Sequence, residues 1–214
     1  MRHISDNFET ITMLSHGILK EHFAGIGGYF VRIGLISDTH VPNAVNEVPY
    51  QVENAFKGVD LILHAGDIYQ SVCLDWLERI APVTAVELES MVHFKNDSRV
   101  EEKRVLTLEG HRIGLVHDLF LRGIDEVRPG TITARNLPDE SLPGLVEKFF
   151  GDPVSIVVFG HTHIPVMEEH QGILLVNPGS PVLPRQRREL GQVGILEVTP
   201  QDRSAWIVDL AEFS

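Results

Sequence analysis

Three short runs and one isolated residue carry the side chains best suited to chemistry in this sequence. They are Asp38-Thr39-His40, Gly66-Asp67, His117 and Gly160-His161-Thr162-His163. Side chains at i and i+2 of an extended segment point the same way, so Asp38/His40 and His161/His163 each present two donors in one direction. Imidazole and carboxylate donors suit Mn²⁺, Fe, Co²⁺, Ni²⁺ or Zn²⁺ and disfavour Cu(I), which wants sulfur. The single cysteine, Cys73, excludes a thiolate-based zinc or iron–sulfur site and a disulfide framework. Asp38, His40, Asp67, His117, His161 and His163 are more donors than one tetrahedral ion needs, which points to two ions. A carboxylate, with two oxygens, can be shared between them.

These residues follow predicted strands. Val31–Ser37 is a β-branched run ending at Asp38, and Val59–His64 a second ending before Gly66-Asp67. The apolar stripe of Val48, Val52, Ala55 and Phe56 predicts a helix over Glu47–Lys57, and Ser71–Ile80 reads as another, before a strand at Pro82–Val86. This alternation argues for βαβ units. Further on, Arg104–Leu108 and Arg112–Val116 flank Glu109-Gly110-His111 as a hairpin leading to His117, and Leu137–Phe150 contains a helix starting after Pro138. Val154–Phe159 is a buried strand ending at Gly160, Ile173–Val176 leads into Asn177, and Gly194–Thr199 with Ala205–Leu210 forms a closing antiparallel pair. Ligands of α/β sheets gather beyond the carboxyl ends of strands, where the Asp and His residues fall.

Composition narrows the function classes. The 214 residues carry 18 Lys+Arg against 30 Asp+Glu, a formal charge of −12, which argues against binding nucleic-acid duplexes through a basic surface. No stretch reaches the roughly 20 apolar residues of a membrane span. Met1–Thr10 lacks the basic start of a signal peptide, so a cytoplasmic protein without a membrane partner is expected. Residues 1–30 show no sustained period and read as an N-terminal extension, either a flexible leader or the product of a start placed too far upstream; residues 31–214 read as the domain proper.

The order Asp38-x-His40, Gly66-Asp67, an Asn-containing segment, His117 and Gly160-His161-x-His163 resembles the calcineurin-like metallophosphoesterase superfamily. The short chain, with Asn177-Pro178-Gly179-Ser180 followed by Arg185, is similar to its small single-domain bacterial and archaeal phosphodiesterase branch. The resemblance implies an α/β fold, a four-layer αββα sandwich of two mixed β-sheets flanked by helices. It also implies two divalent ions, Mn²⁺ foremost. One would be held by Asp38, His40, Asp67 and His163, the other by Asp67, Asn96, His117 and His161, with Asp67 bridging. The expected activity is hydrolysis of a small phosphoester, in the first instance a phosphodiester, by metal-activated water. The expected partners are that substrate and further copies of the chain as a homo-oligomer. The competing expectation is a protein-binding scaffold with little catalysis, as in the retromer subunit of this superfamily.

The chain departs from the family pattern at its third block, where Gly-Asn-x-Asp should follow the strand at Pro82–Val86. Glu87 to Lys95 intervenes before Asn96-Asp97, and the glycine is absent. Either Asn96 is the ligand, or Asp97 keeps the family's aspartate and Lys95 stands in the ligand's place. Asp97 is the candidate catalytic residue, as proton donor or as an orienting group. Asp118 stands where the family commonly has glycine. Arg185, Arg187 and Arg188 are candidates to clamp a phosphate, or simply a solvated loop. His64 reads as packed behind the site, His93, His111 and His170 as exposed non-ligands, and Cys73 as a small core residue.

Overall fold

A computed structural model describes residues 30–88, 94, 96–137 and 141–213. The expectation for residues 1–30 falls, Phe30 apart, outside the described residues, as do Glu89 to His93, Lys95 and Pro138. Among the described residues, eleven strands form two mixed sheets. The first has six strands, in the order β11 (Arg203–Asp209), β10 (Gln192–Val198), β1 (Val31–Ile36), β2 (Leu61–His64), β3 (Val83–Val86) and β4 (Val100–Glu101). β1 to β4 are parallel and β10 and β11 antiparallel. The second has five, in the order β5 (Lys103–Leu108), β6 (His111–Val116), β7 (Ile156–Val158), β9 (Ile173–Asn177) and β8 (Val166–His170). Its central β6, β7 and β9 run parallel between antiparallel edges.

The alternation of side chains along each strand builds the layers. Ile33 and Leu35 of β1 face Ile113 and Leu115 of β6 and Ile156 and Val158 of β7 in the core between the sheets. Ile36 turns the other way, into a core with Val52 and Phe56, and with Leu74 and Leu77 of the helix α2 (Ser71–Leu77). Val52 belongs to the short helix α1 (Gln51–Ala55). On the far side, Val116 and Val157 pack with Leu142, Leu145, Val146 and Phe150 of α3 (Leu142–Phe150) and with Leu119, Leu121 and Val127 of the loop after β6. The result is the expected four-layer sandwich. A glycine mid-strand on each outer face admits an aromatic ring. A Cβ at Gly34 would sit 3.0 Å from Phe56, and one at Gly114 2.6 Å from Phe150.

Local chemistry explains most element ends. The β5–β6 hairpin turns on Glu109 (φ 48°) and Gly110 (φ 83°), the two positive angles that match strand twist. α3 opens with Ser141, whose Oγ accepts from the Gly144 amide at 3.3 Å, and closes at left-handed Gly151. α1 is shorter than its apolar stripe predicts, because Pro49 disfavours helix at the residue before it. Sequence periodicity missed β4 and β8. β4 is two residues long, and β8 is an edge strand in which only Val166 is buried.

Candidate metal centre

β1, β2, β6 and β7 all end at the same rim, two from each sheet. Asp38 and His40 follow β1, Asp67 follows β2, His117 follows β6, and His161 and His163 follow β7. The two sheets are stitched together here. The Asp38 and His40 amides donate to the carbonyls of Gly66 and Asp67, both at 2.9 Å, which aligns the first two loops. Across the sheets, the His161 amide donates to Asp38 Oδ1 at 3.1 Å, and His117 Nδ1 lies 2.8 Å from the Ala65 carbonyl.

Asp38, His40, Asp67 and His163 each offer a donor atom, and these atoms lie within 4.8 Å of one another. His40 Nε2 is 3.3 Å from Asp67 Oδ2, His163 Nε2 is 3.3 Å from Asp38 Oδ1, and the two Nε2 atoms are 3.1 Å apart. Asp67 Oδ2 also faces His117 Nε2 at 3.7 Å, and the His117 ring meets that of His161 edge-on at 5.5 Å between centroids. Asp67 thus stands between the His40/His163 side and the His117 side.

The donor set fits a divalent cation on three grounds. The Nδ1 atoms of His117 and His163 each face a backbone carbonyl, that of Ala65 at 2.8 Å and that of Leu183 at 2.9 Å. A carbonyl only accepts, so each Nδ1 carries the proton and leaves an Nε2 lone pair facing the cluster. Asp38 is fully buried, yet its Oδ2 has no hydrogen-bond partner among the described residues. Such an orphan is costly unless a cation or proton claims it. Finally, burial holds the His40 and His163 imidazoles below their ordinary 6.5, against the pull of Asp67, so they are neutral at pH 7, the form a metal ion needs. Burial also pushes the Asp38 carboxyl well above its usual 3.8, and the carboxylates of Asp67 and Glu87 add to it. Only a positive charge beside Asp38 makes its ionised form favourable.

The backbone is strained where the candidate donors sit. Asp38 (φ 55°), His40 (48°), Asp67 (54°), His161 (72°) and His163 (56°) all adopt left-handed angles that residues with a Cβ rarely occupy. Clustered strain of this kind marks functional sites, where surrounding contacts hold it in place. Those contacts are visible. Ser180 Oγ donates to the Asp38 carbonyl at 2.7 Å, and Asn177 Nδ2 donates to the Gly160 carbonyl at 2.7 Å, both from fully buried side chains. Sequence reasoning noted Asn177 and Ser180 only as part of a motif; the structure shows them holding the loops that carry Asp38 and His161. His64 lies behind the site, its Nδ1 accepting from the Gly66 amide at 3.2 Å and its Nε2 3.1 Å from Thr39 Oγ1. Burial takes its imidazole down to about 3, helped by His117 and His40, and takes the Cys73 thiol up to about 12, so Cys73 is no nucleophile at neutral pH.

The third block lies differently from the candidate donors above. Asn96 is exposed in a turn. Asp97 is gripped by Arg99, which donates from Nε to Oδ1 at 2.8 Å and from an Nη to Oδ2 at 2.6 Å. Those hydrogen bonds hold the Asp97 carboxyl below its usual 3.8. Arg185, Arg187 and Arg188 are exposed, and the Arg185 amide donates to the His163 carbonyl at 3.1 Å.

Among the described residues no helix is long and apolar enough to cross a membrane. Residues 31–201 match the calcineurin-like phosphoesterase superfamily domain. The chain is 37% identical over 153 residues to a probable metallophosphoesterase of Methanothermobacter thermautotrophicus, covering 72% of this chain and 78% of that one. It is 36% identical over 160 residues to another of Methanocaldococcus jannaschii, covering 75% and 72%. Among solved structures it is similar to vacuolar protein sorting 29 of Cryptosporidium parvum, with a TM-score of 0.59, 18% identity and coverage of 84% and 97%. An archaeal phosphodiesterase superposes with a TM-score of 0.53 at 18% identity, covering 83% of this chain and all of that one. With the donor cluster at the shared rim of its two sheets, the chain belongs to the calcineurin-like phosphoesterase superfamily.

Proposed function

We propose that the protein hydrolyses phosphodiesters using two divalent ions, Mn²⁺ being the best match to its nitrogen and oxygen donors. The observation that carries this reading is the cluster of Asp38, His40, Asp67 and His163, whose donor atoms lie within 4.8 Å of one another. Bound divalent ions supply an acidified water and a Lewis acid for the phosphoryl oxygens. The protein supplies the rest. Asp67, between His40 and His117, is placed to serve both ion positions. The Nδ1–carbonyl contacts of His117 and His163 fix tautomer and ring angle, so the site costs little to organise when metal arrives. The exposed arginines beyond His163 offer planar guanidinium forks to a phosphate at the rim.

A second reading is a protein-binding scaffold. It draws on the exposed position of Asn96 and on the likeness in fold to vacuolar protein sorting 29. Turnover of bis(p-nitrophenyl) phosphate separates the two. The enzyme reading expects hydrolysis that chelation abolishes and Mn²⁺ restores. No hydrolysis at any divalent-ion concentration, by a folded protein, rejects it.

A further inference from the structure

Thr39 stands between Asp38 and His40 and is fully buried. Its hydroxyl joins three segments behind the rim: the loop after β1, the end of β2 at His64, and α2 at Cys73. The direction of each hydrogen bond follows from the His64 ring. The Gly66 amide can only donate, so the His64 Nδ1 that faces it at 3.2 Å carries a lone pair. Burial keeps this imidazole neutral at pH 7, so its one proton sits on Nε2, 3.1 Å from Thr39 Oγ1.

Thr39 Oγ1 therefore accepts from His64 Nε2 and, at 3.3 Å, from the Cys73 thiol. Those two bonds use both of its lone pairs, which leaves the hydroxyl proton for the Asp67 carbonyl at 3.4 Å. The network is saturated. The Asp67 carbonyl also accepts from the His40 amide, and the Gly66 carbonyl from the Asp38 amide, both at 2.9 Å. His64 thus grips Gly66 with one nitrogen and, through Thr39, Asp67 with the other. Asp38, His40 and Asp67, three of the four clustered donors, are held in register from behind. All three sit on left-handed backbone, which persists only with such outside support.

We propose that Thr39 is a positioning residue of the metal centre: its hydroxyl, oriented by His64, sets the Asp38/His40 loop against Asp67 and so the affinity for a divalent ion. This deepens the phosphoesterase reading above and rests on it. Thr39 brings no donor to the cluster and acts through the backbone it holds. Losing an outer partner of metal ligands weakens binding by about ten- to a hundredfold. The hydroxyl is what counts here. Valine, of nearly the same shape, would leave the His64 Nε2–H and the Cys73 thiol facing a methyl group.

The test is calorimetric titration of the full chain with Mn²⁺ after chelation and dialysis, alongside its melting temperature without metal. Thr39→Ser keeps the hydroxyl and should bind Mn²⁺ as the wild type does. Thr39→Val should bind it at least about tenfold more weakly. A second pair works from the two ends of the His64 ring. His64→Gln puts an amide N–H near the place of Nε2 and still donates to Thr39, whereas His64→Asn serves only the Gly66 amide. His64→Gln should therefore bind Mn²⁺ the more tightly of the two. Leu77→Ala opens a cavity in α2 away from the network, and should lower the melting temperature without changing affinity. A Thr39 that only packs would behave the same way: Thr39→Val would melt earlier and bind Mn²⁺ normally, which overturns the proposal. So does a Leu77→Ala chain that loses as much affinity as Thr39→Val, because affinity would then merely follow stability. Equal affinities in His64→Gln and His64→Asn also overturn it, and decide the matter if Thr39→Val does not fold. A wild-type chain that takes up no Mn²⁺ is a different failure, because it rejects the phosphoesterase reading itself and the Thr39 assignment with it.

Discussion

The Nε2 atoms of His40 and His163 lie 3.1 Å apart, each flanked at 3.3 Å by a carboxylate oxygen, Asp67 Oδ2 and Asp38 Oδ1 respectively. His163 commits its proton to the Leu183 carbonyl through Nδ1, so its Nε2 brings only a lone pair. With both imidazoles neutral, at most one Nε2 proton, that of His40, serves an assembly of two nitrogens and two carboxylates. A divalent ion relieves that shortage at once.

Metal should therefore stabilise the fold. Mn²⁺ at a hundredfold excess over its dissociation constant adds about 2.7 kcal/mol. For a domain of this size that raises the melting temperature by several degrees. Scanning calorimetry of the chelated protein, with and without Mn²⁺, reads the shift. His163→Ala should remove most of it, and an equal shift in that variant would contradict the assignment.

Asp67→Asn should cost more activity than His40→Ala. Asp67 Oδ2 faces both His40 and His117, whereas His40 contacts one side only. Losing the shared charge weakens both positions, so kcat/KM should fall by at least about a hundredfold more in Asp67→Asn. Equal losses in two folded variants would show that Asp67 is not shared.

The metal-free protein should weaken in acid in a window set by His64. Its imidazole is about 3 in the folded state and 6.5 in the unfolded state. Above 6.5 both states are neutral and the contribution to stability is complete. As pH falls below 6.5 the unfolded chain takes up a proton that the folded chain refuses, and stability drains away until about pH 3. His64→Asn keeps an acceptor for the Gly66 amide and has no such proton, so its melting temperature should fall less steeply across this range. Identical slopes would remove His64 as a cause.

The parts of this fold legible in the sequence are those with a local signal. β-branched runs announced β1, β2, β3 and β7, and Glu109-Gly110 announced its hairpin. Asp38, His40, Asp67 and His163 were legible because two short-spaced pairs and a glycine-flanked aspartate end separate strands, and the fold brings them within 4.8 Å. The left-handed angles at Asp38 and His161 were hidden, since tertiary contacts from Asn177 and Ser180 hold their loops and no local sequence signal announces them.

Asp97→Asn separates a structural role from a catalytic one. Arg99 grips both carboxylate oxygens of Asp97 and also pairs with Asp75 and Glu78 at 2.8 and 2.9 Å. A carboxyl held below 3.8 carries no proton to give at neutral pH. Removing its charge should cost about 1–3 kcal/mol of stability. The pH profile of kcat should keep its shape. Loss of the alkaline limb, with the fold intact, would make Asp97 a proton donor after all.

Two glycine substitutions should separate strain in the fold from damage at the site. At Gly110 the angle is left-handed, φ 83°, but a Cβ would meet nothing within 4 Å. Gly110→Ala should therefore cost roughly 1 kcal/mol of stability and leave Mn²⁺ affinity untouched. At Gly160 the obstacle is space. A Cβ there would run into the Ser37 side chain and stand 2.7 Å from the Ala65 carbonyl and 2.9 Å from Asp38 Oδ2. None of these can retreat freely, because Ser37 and Ala65 are themselves hydrogen-bonded and Asp38 is fully buried. The overpacking should cost about 1–3 kcal/mol. The two variants would thus melt at similar temperatures while differing in function. Only Gly160→Ala pushes on Asp38 Oδ2, the orphaned donor, so only it should weaken Mn²⁺ binding, by about tenfold or more in calorimetric titration. Equal affinities in the two variants would mean that Asp38 Oδ2 does not face the ion.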